Sequence, residues 1–430
     1  MSRLQKILTG VVAACIIFFG VIAFRIMAAP NDDSVKLAKI PTDNNAQFGK
    51  DAYKDAYPLE YNSYMKNNDG APSPTGYGGA QAEHSRLAEE PEMLVNFKGY
   101  KFAIQYDDDR GHTYAGTDIL NSKRRPGQKG NCITCKTSYT GDVFYSEMGW
   151  GYATKTFDEL AEQIPEDGWF GCSTCHDPST MDLRVMNPAF KEAMERRGVD
   201  ISQATHNEMR AYVCGQCHVE YYFAKEDGRV VFPWDLGLTA EAEYQYYQSG
   251  KAGAFTQDWV HPDSKTNMLK AQHPDFETWS TSVHADAGVT CVDCHMPYMR
   301  EDGKKYTSHW MTSPLKTVED SCQKCHDESK EVLIARVKTI HDNTFKLQRI
   351  AGQTVAQAHQ AIAAAMAAGA TDDQLANARL QLREAQWYWD FVAAENGVGF
   401  HNPDQIMRTA GLSIDCAHKA IEMANATRGV

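Results

Sequence analysis

Ten of the twelve cysteines in this 430-residue chain fall into five Cys-x-x-Cys pairs, and that feature limits the fold more than any other. Four pairs are followed at once by histidine: Cys172-Ser-Thr-Cys175-His176, Cys214-Gly-Gln-Cys217-His218, Cys291-Val-Asp-Cys294-His295 and Cys322-Gln-Lys-Cys325-His326. Cys-x-x-Cys-His is the attachment pattern of haem c, in which two thiols bond the macrocycle and the adjacent imidazole coordinates the iron. Zinc sites and redox dithiols also use Cys-x-x-Cys. Zinc takes such pairs two at a time, however, and five is odd; a redox dithiol has no use for the trailing histidine. A chain that holds several porphyrins packs around their faces, so hydrophobic periodicity is a weak guide over the motif region. The architecture this predicts is mainly α, packed around five haems, with long C-terminal helices and little β.

The fifth pair is Cys132-Ile-Thr-Cys135-Lys136, with lysine where histidine stands in the others. An amine ligates iron only when neutral, a form that burial favours. Its position directly after Cys135 makes Lys136 the candidate ligand of this haem; the alternative is a bystander, with a distant histidine on that iron. A haem with one protein ligand keeps an open face, and an open face binds substrate. The other four haems, if they carry electrons, each need a second histidine. Four of the fifteen histidines lie in the motifs, so eleven remain to supply these ligands. Cys15 lies in an apolar leader, and Cys416 reads as a plain buried thiol.

The formal net charge is −13, which disfavours nucleic acid and calls for partners with positive surface. Residues 1–29 read as a targeting segment: Arg3 and Lys6, an apolar run from Leu8 to Phe24, then Ala28-Ala29. The run is long for a signal peptide and short for a spanning helix, so a cleaved signal and a retained anchor are both open. Either places the remainder in the periplasm, the anchor holding it at the inner membrane. Residues 30–328 form the expected haem-binding catalytic body, with few regular elements before about residue 85. Residues 329–430 form a long-helix region continuous with it. There Gly369 breaks the pattern, Thr371-Asp372-Asp373 caps a new helix, and Gly397 closes it. Leu375, Ala378, Leu382, Ala385, Trp389 and Val392 make a stripe suited to another long helix, either within the chain or across a homodimer.

One Lys-type motif followed by four His-type motifs resembles the ammonia-forming cytochrome c nitrite reductases. Three further segments carry the resemblance: Glu220-Tyr221 trailing the third motif, Lys270-Ala271-Gln272-His273-Pro274, and Arg110-Gly111-His112 with Asp118-Ile119 and Arg124. The resemblance spans about residues 95–410. It implies five haem c and one Ca2+. It further implies His112 as distal ligand of the third haem, His309 of the second, His401 of the fourth and His284 of the fifth. Arg124, Tyr221 and His273 would line the pocket over the Lys136 haem. Glu220 and Gln272 would bind calcium through side chains, and Tyr221 and Lys270 through backbone carbonyls. Two departures stand out. Arg124-Arg125-Pro126-Gly127 replaces the family's Arg-Thr-Gly-Ala-Pro, so either arginine is a candidate for the pocket. Ile133 replaces the usual tryptophan after the first cysteine of the Lys motif.

The implied reaction takes nitrite to ammonium with six electrons and eight protons, releasing two waters. Five haems in contact would store and relay the electrons. Arginine would hold the anion, and His273, with an ordinary pKa near neutrality, would supply protons to departing oxygen. The family's electron donors are either a membrane-bound quinol-oxidising cytochrome or a soluble one. The competing readings are an electron carrier whose haems are all six-coordinate, and a relative acting on hydroxylamine or sulfite.

Overall fold

Residues 329–396 are rich in alanine, glutamine and leucine and lack proline, and they build two of the three longest helices of the fold. The fold is seen in a computed structural model that describes residues 36–79 and 84–429. The leader at 1–29 lies outside the described residues, and among those described no helix is long and apolar enough to cross a membrane. The chain is mainly α with little β. Among the described residues the strands form three short antiparallel hairpins: β1 (Tyr222–Phe223) with β2 (Val230–Val231), β3 (Trp259–Val260) with β4 (Asn267–Met268), and β5 (Tyr298–Glu301) with β6 (Lys304–Thr307).

In the body, helix α1 (Pro188–Arg196) and helix α2 (His206–Gly215) flank the second and third haem motifs, and α3 (Asp275–Ser280) follows the 270–273 strip. Three long helices close the chain: α4 (Lys330–Ala367), α5 (Asp372–Ala394) and α6 (Pro403–Ala426). The predicted stripe on α5 is almost wholly buried, Leu375 through Trp389 at 0% exposure and Val392 at 2%. Its partners are α4 and α6 of the same chain, whose facing positions are mostly small: Ala351, Ala358 and Ala365 on one, Ala410, Ala417 and Ala420 on the other. Small residues let helix axes approach closely. Gly352 marks the tightest point, because a Cβ there would meet Trp389 Nε1 at 2.6 Å. The stripe is therefore consumed within the chain, and any partner would have to dock on another face.

Two further corrections concern this region. The expected helix pair is a set of three, with Asn402 capping α6 through its side chain and Pro403 at the first helical position. And α5 stops at Ala394, before Gly397. Glu395 ends it: its carboxylate turns back to accept the N–H groups of Gly397 and Gly399 at 2.9 and 2.8 Å.

The polar segment before residue 85 has a short helix, Pro58–Met65, and several 3-10 turns. Ser63 and Asn67 hold the backbone of His309 from either side, at 2.9 and 2.8 Å. This segment is thus a brace for a residue over 240 positions away.

Candidate haem and substrate site

Each attachment motif sits on a single helical turn. The amide N–H groups of His176, His218 and His326 donate to the carbonyl of the first cysteine of their own motifs, at 2.9, 3.0 and 3.0 Å. That turn brings cysteines three residues apart onto one face and aims the following side chain in the same direction. We number the motifs 1 to 5 in chain order. The thiols of Cys135 and Cys217 abut, as do those of Cys214 and Cys291. Motif 3 therefore lies between motifs 1 and 4. Cys175 and Cys214 are also electrostatic neighbours, as are Cys294 and Cys322, which adds motif 2 as a branch and motif 5 as an end.

A cavity of about 1960 Å³ runs through the body and is walled by the thiols and histidines of motifs 2 to 5. Four pairs of imidazoles face each other. His176 and His309 have ring centroids 6.1 Å apart, His112 and His218 6.0 Å, His295 and His401 6.3 Å, and His284 and His326 6.4 Å. Two metal–imidazole bonds of about 2 Å each, plus the half-widths of two rings, give roughly 6 Å. The spacing and the donor chemistry fit one metal atom between each pair. Burial holds His112, His176 and His295 down to about 3, 4 and 4, whereas the carboxylates beside His401 and His218 outweigh burial and raise them, His401 to about 9.

Five of the eight paired imidazoles have their second ring nitrogen held, as axial ligands require. His176 Nδ1 bonds the Met181 carbonyl, His295 that of Thr312 and His309 that of Thr307, at 2.8, 2.9 and 2.9 Å. His218 and His401 turn instead to carboxylates, Asp275 at 3.2 Å and Glu395 at 2.5 Å. His112 stacks on Phe170 at 4.4 Å. His284 sits on a one-turn helix capped by Ser282.

Around motif 1 the structure gathers Arg124, Tyr221 and His273. Tyr221 lies among Cys135, Cys132 and Arg124, and burial raises its phenol well above the usual range. Arg124 stacks over Phe102 at 4.2 Å, and its buried Nε has no hydrogen-bond partner, a donor available to an anion. Arg125 turns away, with its guanidinium paired to Asp158 at the surface. Of the two candidates, Arg124 is the one beside the motif. His273 Nδ1 lies 3.7 Å from an Asp109 oxygen. Burial lowers the imidazole below its ordinary range, with Asp109 opposing and Lys136 adding to the effect. Asp109 was missed in the sequence, although it directly precedes the Arg110-Gly111-His112 segment.

Glu220 is fully buried; its carboxylate accepts the Gln272 N–H at 2.6 Å and the Tyr247 hydroxyl at 2.9 Å. The nearest charges, Glu277 and Asp258, are also negative, and burial pushes its carboxyl well above the usual range. Buried carboxyl groups that resist ionisation side by side, with amide and carbonyl oxygens nearby, suit a hard cation such as calcium, which would offset their charge. The Lys270 side chain leaves this cluster for Asp390, at 2.8 Å, so only its backbone can contribute.

Residues 49–430 match the model of the cytochrome c552 family. The chain belongs to the cytochrome c552 family. Among its relatives is the cytochrome c nitrite reductase subunit NrfA of Nitratidesulfovibrio vulgaris, 37% identical, with the match covering 98% of this chain and 87% of that one. A cytochrome c-552 of Bacteroides thetaiotaomicron is also 37% identical, over 86% of this chain and 75% of its own. Among solved structures, the NrfA catalytic subunit of the Desulfovibrio desulfuricans nitrite reductase, which has two calcium sites, superimposes with a TM-score of 0.84. It is 36% identical and covers 88% of this chain and 86% of its own.

Proposed function

We propose that this chain is a periplasmic nitrite reductase that forms ammonium, with substrate bound at the Lys136 haem and electrons relayed by four bis-histidine haems. Family membership supports the activity. The observation that carries the assignment of parts is the asymmetry among the five motifs. Four end in a histidine facing a second histidine at about 6 Å. The fifth ends in Lys136, beside a pocket of Arg124, Tyr221 and His273.

The reaction balances as nitrite plus six electrons and eight protons, giving ammonium and two waters. When bound, the motif 1 haem supplies the metal that takes the substrate nitrogen and delivers electrons to it. Arg124 offers the unpartnered Nε–H to the anion's oxygens in a low-dielectric setting, where the contact is strongest. His273 gives its proton to departing oxygen. It must be recharged after each proton transfer, and Asp109 at 3.7 Å stabilises the charged ring. Tyr221 presents its undissociated hydroxyl to later nitrogen species. Calcium, held by Glu220, Gln272 and the carbonyls of Tyr221 and Lys270, would fix the two strips that carry Tyr221 and His273.

The body at 30–328 and the helices at 329–430 act as one continuous domain in this reading. The donor is a cytochrome with positive surface, either membrane-bound and quinol-oxidising or soluble. A homodimer would use an outer face of the C-terminal helices.

The test is ammonium formation from nitrite with reduced viologen, on wild type and His273→Asn. Wild type should form ammonium and the variant should be strongly impaired. Wild type forming none would end the proposal, and an unimpaired variant would remove His273 as proton donor.

A further inference from the structure

We propose that Asp275 is one carboxylate shared by ligands of two neighbouring haems, 3 and 4, and holds both at lower potential than haem 2. The proposal rests on the axial pairing given above. Asp275 opens α3 and is 6% exposed. Its Oδ2 lies 3.2 Å from Nδ1 of His218, the motif 3 ligand, and its Oδ1 lies 3.7 Å from Nδ1 of His401, which faces the motif 4 ligand. The Asn396 backbone N–H and side-chain amide each donate to Asp275 at 2.7 Å and fix its orientation. His401 gives its Nδ1–H to Glu395, which is buried, so Asp275 acts on it through charge alone.

A ligand whose second nitrogen donates to a carboxylate becomes more basic and pushes more electron density onto its metal. A fixed negative charge in a low-dielectric interior favours the ferric state as well. A backbone carbonyl does both far more weakly. The contrast is built into this chain. On haem 2, both His176 and His309 donate to carbonyls. On haem 4, His295 donates to a carbonyl and His401 to a carboxylate. On haem 3, His218 donates to Asp275 while His112 Nδ1 has no partner.

The consequence reaches the reaction site. Haem 3 lies beside haem 1, since Cys217 abuts Cys135. A low-potential haem 3 passes its electron on readily. The same residue donates its own N–H to the His273 carbonyl at 2.7 Å, so it is a positioning residue for the proton donor too.

The test is a spectropotentiometric titration of the holoenzyme, with electron paramagnetic resonance to assign each low-spin haem. In wild type, haem 2 should reduce before haems 3 and 4; the reverse order would overturn the proposal. Asp275→Asn keeps size and an acceptor but loses charge. It should raise the potentials of haems 3 and 4 by at least a tenfold change in their reduced-to-oxidised ratio at fixed potential, 59 mV for one electron. Glu395→Gln should raise haem 4 alone. Either variant with five haems, four of them low-spin, and unshifted potentials would overturn the proposal. Wild type without four low-spin haems would instead show that the pairing itself fails, a distinct result that also ends it.

Discussion

The Lys270–Asp390 pair is where the helical region holds the 270–273 strip, proposed to carry His273 to the substrate, and its removal should be felt in both stability and catalysis. Lys270 and Asp390 side chains are 1% and 0% exposed, and Asp390 also accepts the Ala271 N–H at 2.9 Å. Asp390→Ala leaves a buried ammonium uncompensated, which costs about 3–5 kcal/mol. The rings of Phe97, Phe102 and Tyr106 face the ammonium at 5.2, 4.7 and 5.3 Å. Their attraction, at most about 2 kcal/mol, does not replace the carboxylate. At about 2.1 cal/mol/K per residue, a chain of this length has a melting entropy of about 0.9 kcal/mol/K, so a loss of about 4 kcal/mol lowers Tm by about 4–5 °C. The same Phe102 ring carries the Arg124 guanidinium on it, so KM for nitrite should rise more than kcat falls. The assay is a melt followed by far-UV circular dichroism at matched haem and calcium content, beside viologen-linked kinetics. Lys270→Met with Asp390→Leu removes both charges and should recover much of the stability. A single variant melting within about 1 °C of wild type, or a double variant no better than the single, would refute the reasoning.

Arg124→Leu should raise KM for nitrite at least tenfold while Arg125→Ala stays near wild type, because Arg125 is engaged with Asp158 at the surface; equal losses would count against the assignment. Calcium removal should destabilise the protein more above pH 8 than at pH 6. Burial raises Glu277 to about 8 and Glu220 well above its usual range. A raised folded pKa gives stability that is present at low pH and lost as pH rises towards that value, so the bare site weakens on the alkaline side, where a cation offsets the charge. Melts with and without chelator at the two pH values check this, and an equal drop at both would contradict it.

What the sequence discloses here depends on the range of the interaction. Haem attachment is legible because two thioethers and a ligand must lie on one helical turn, so Cys-x-x-Cys-His is compact in the chain. The stripe on α5 is legible for the same local reason. The helix α6 left a usable signal in Asn402-Pro403 and in the recurrence of Ile406, Ala410, Ala417, Ala420 and Ala424, which are all at 0–1% exposure. The pairing of distal histidines has no such signature. His309 is presented by residues 63 and 67, and His112 by its stack on Phe170. Asp109, Asp275, Asp390 and Glu395 are single acids with no spacing rule, and each becomes visible only when its partner in another segment is brought beside it.

These acids also say what the long helices are for. The body's buried side chains fall into several separate clusters, and the loops between them must be pinned. The last turns of α5 and the residues after it pin them from one place. Asp390 takes Lys270 and the Ala271 N–H. Glu395 takes His401, and Asn396 takes Asp275. Earlier on the same helix, Arg379 and Arg383 hold the β3–β4 hairpin through the carbonyls of Ser264, Asn267 and Thr256. That hairpin runs directly into the 270–273 strip. The helix packed against α4 and α6, with the two residues that follow it, thus holds the 270–273 strip, the backbone proposed to bind calcium, and His401, the proposed ligand of haem 4.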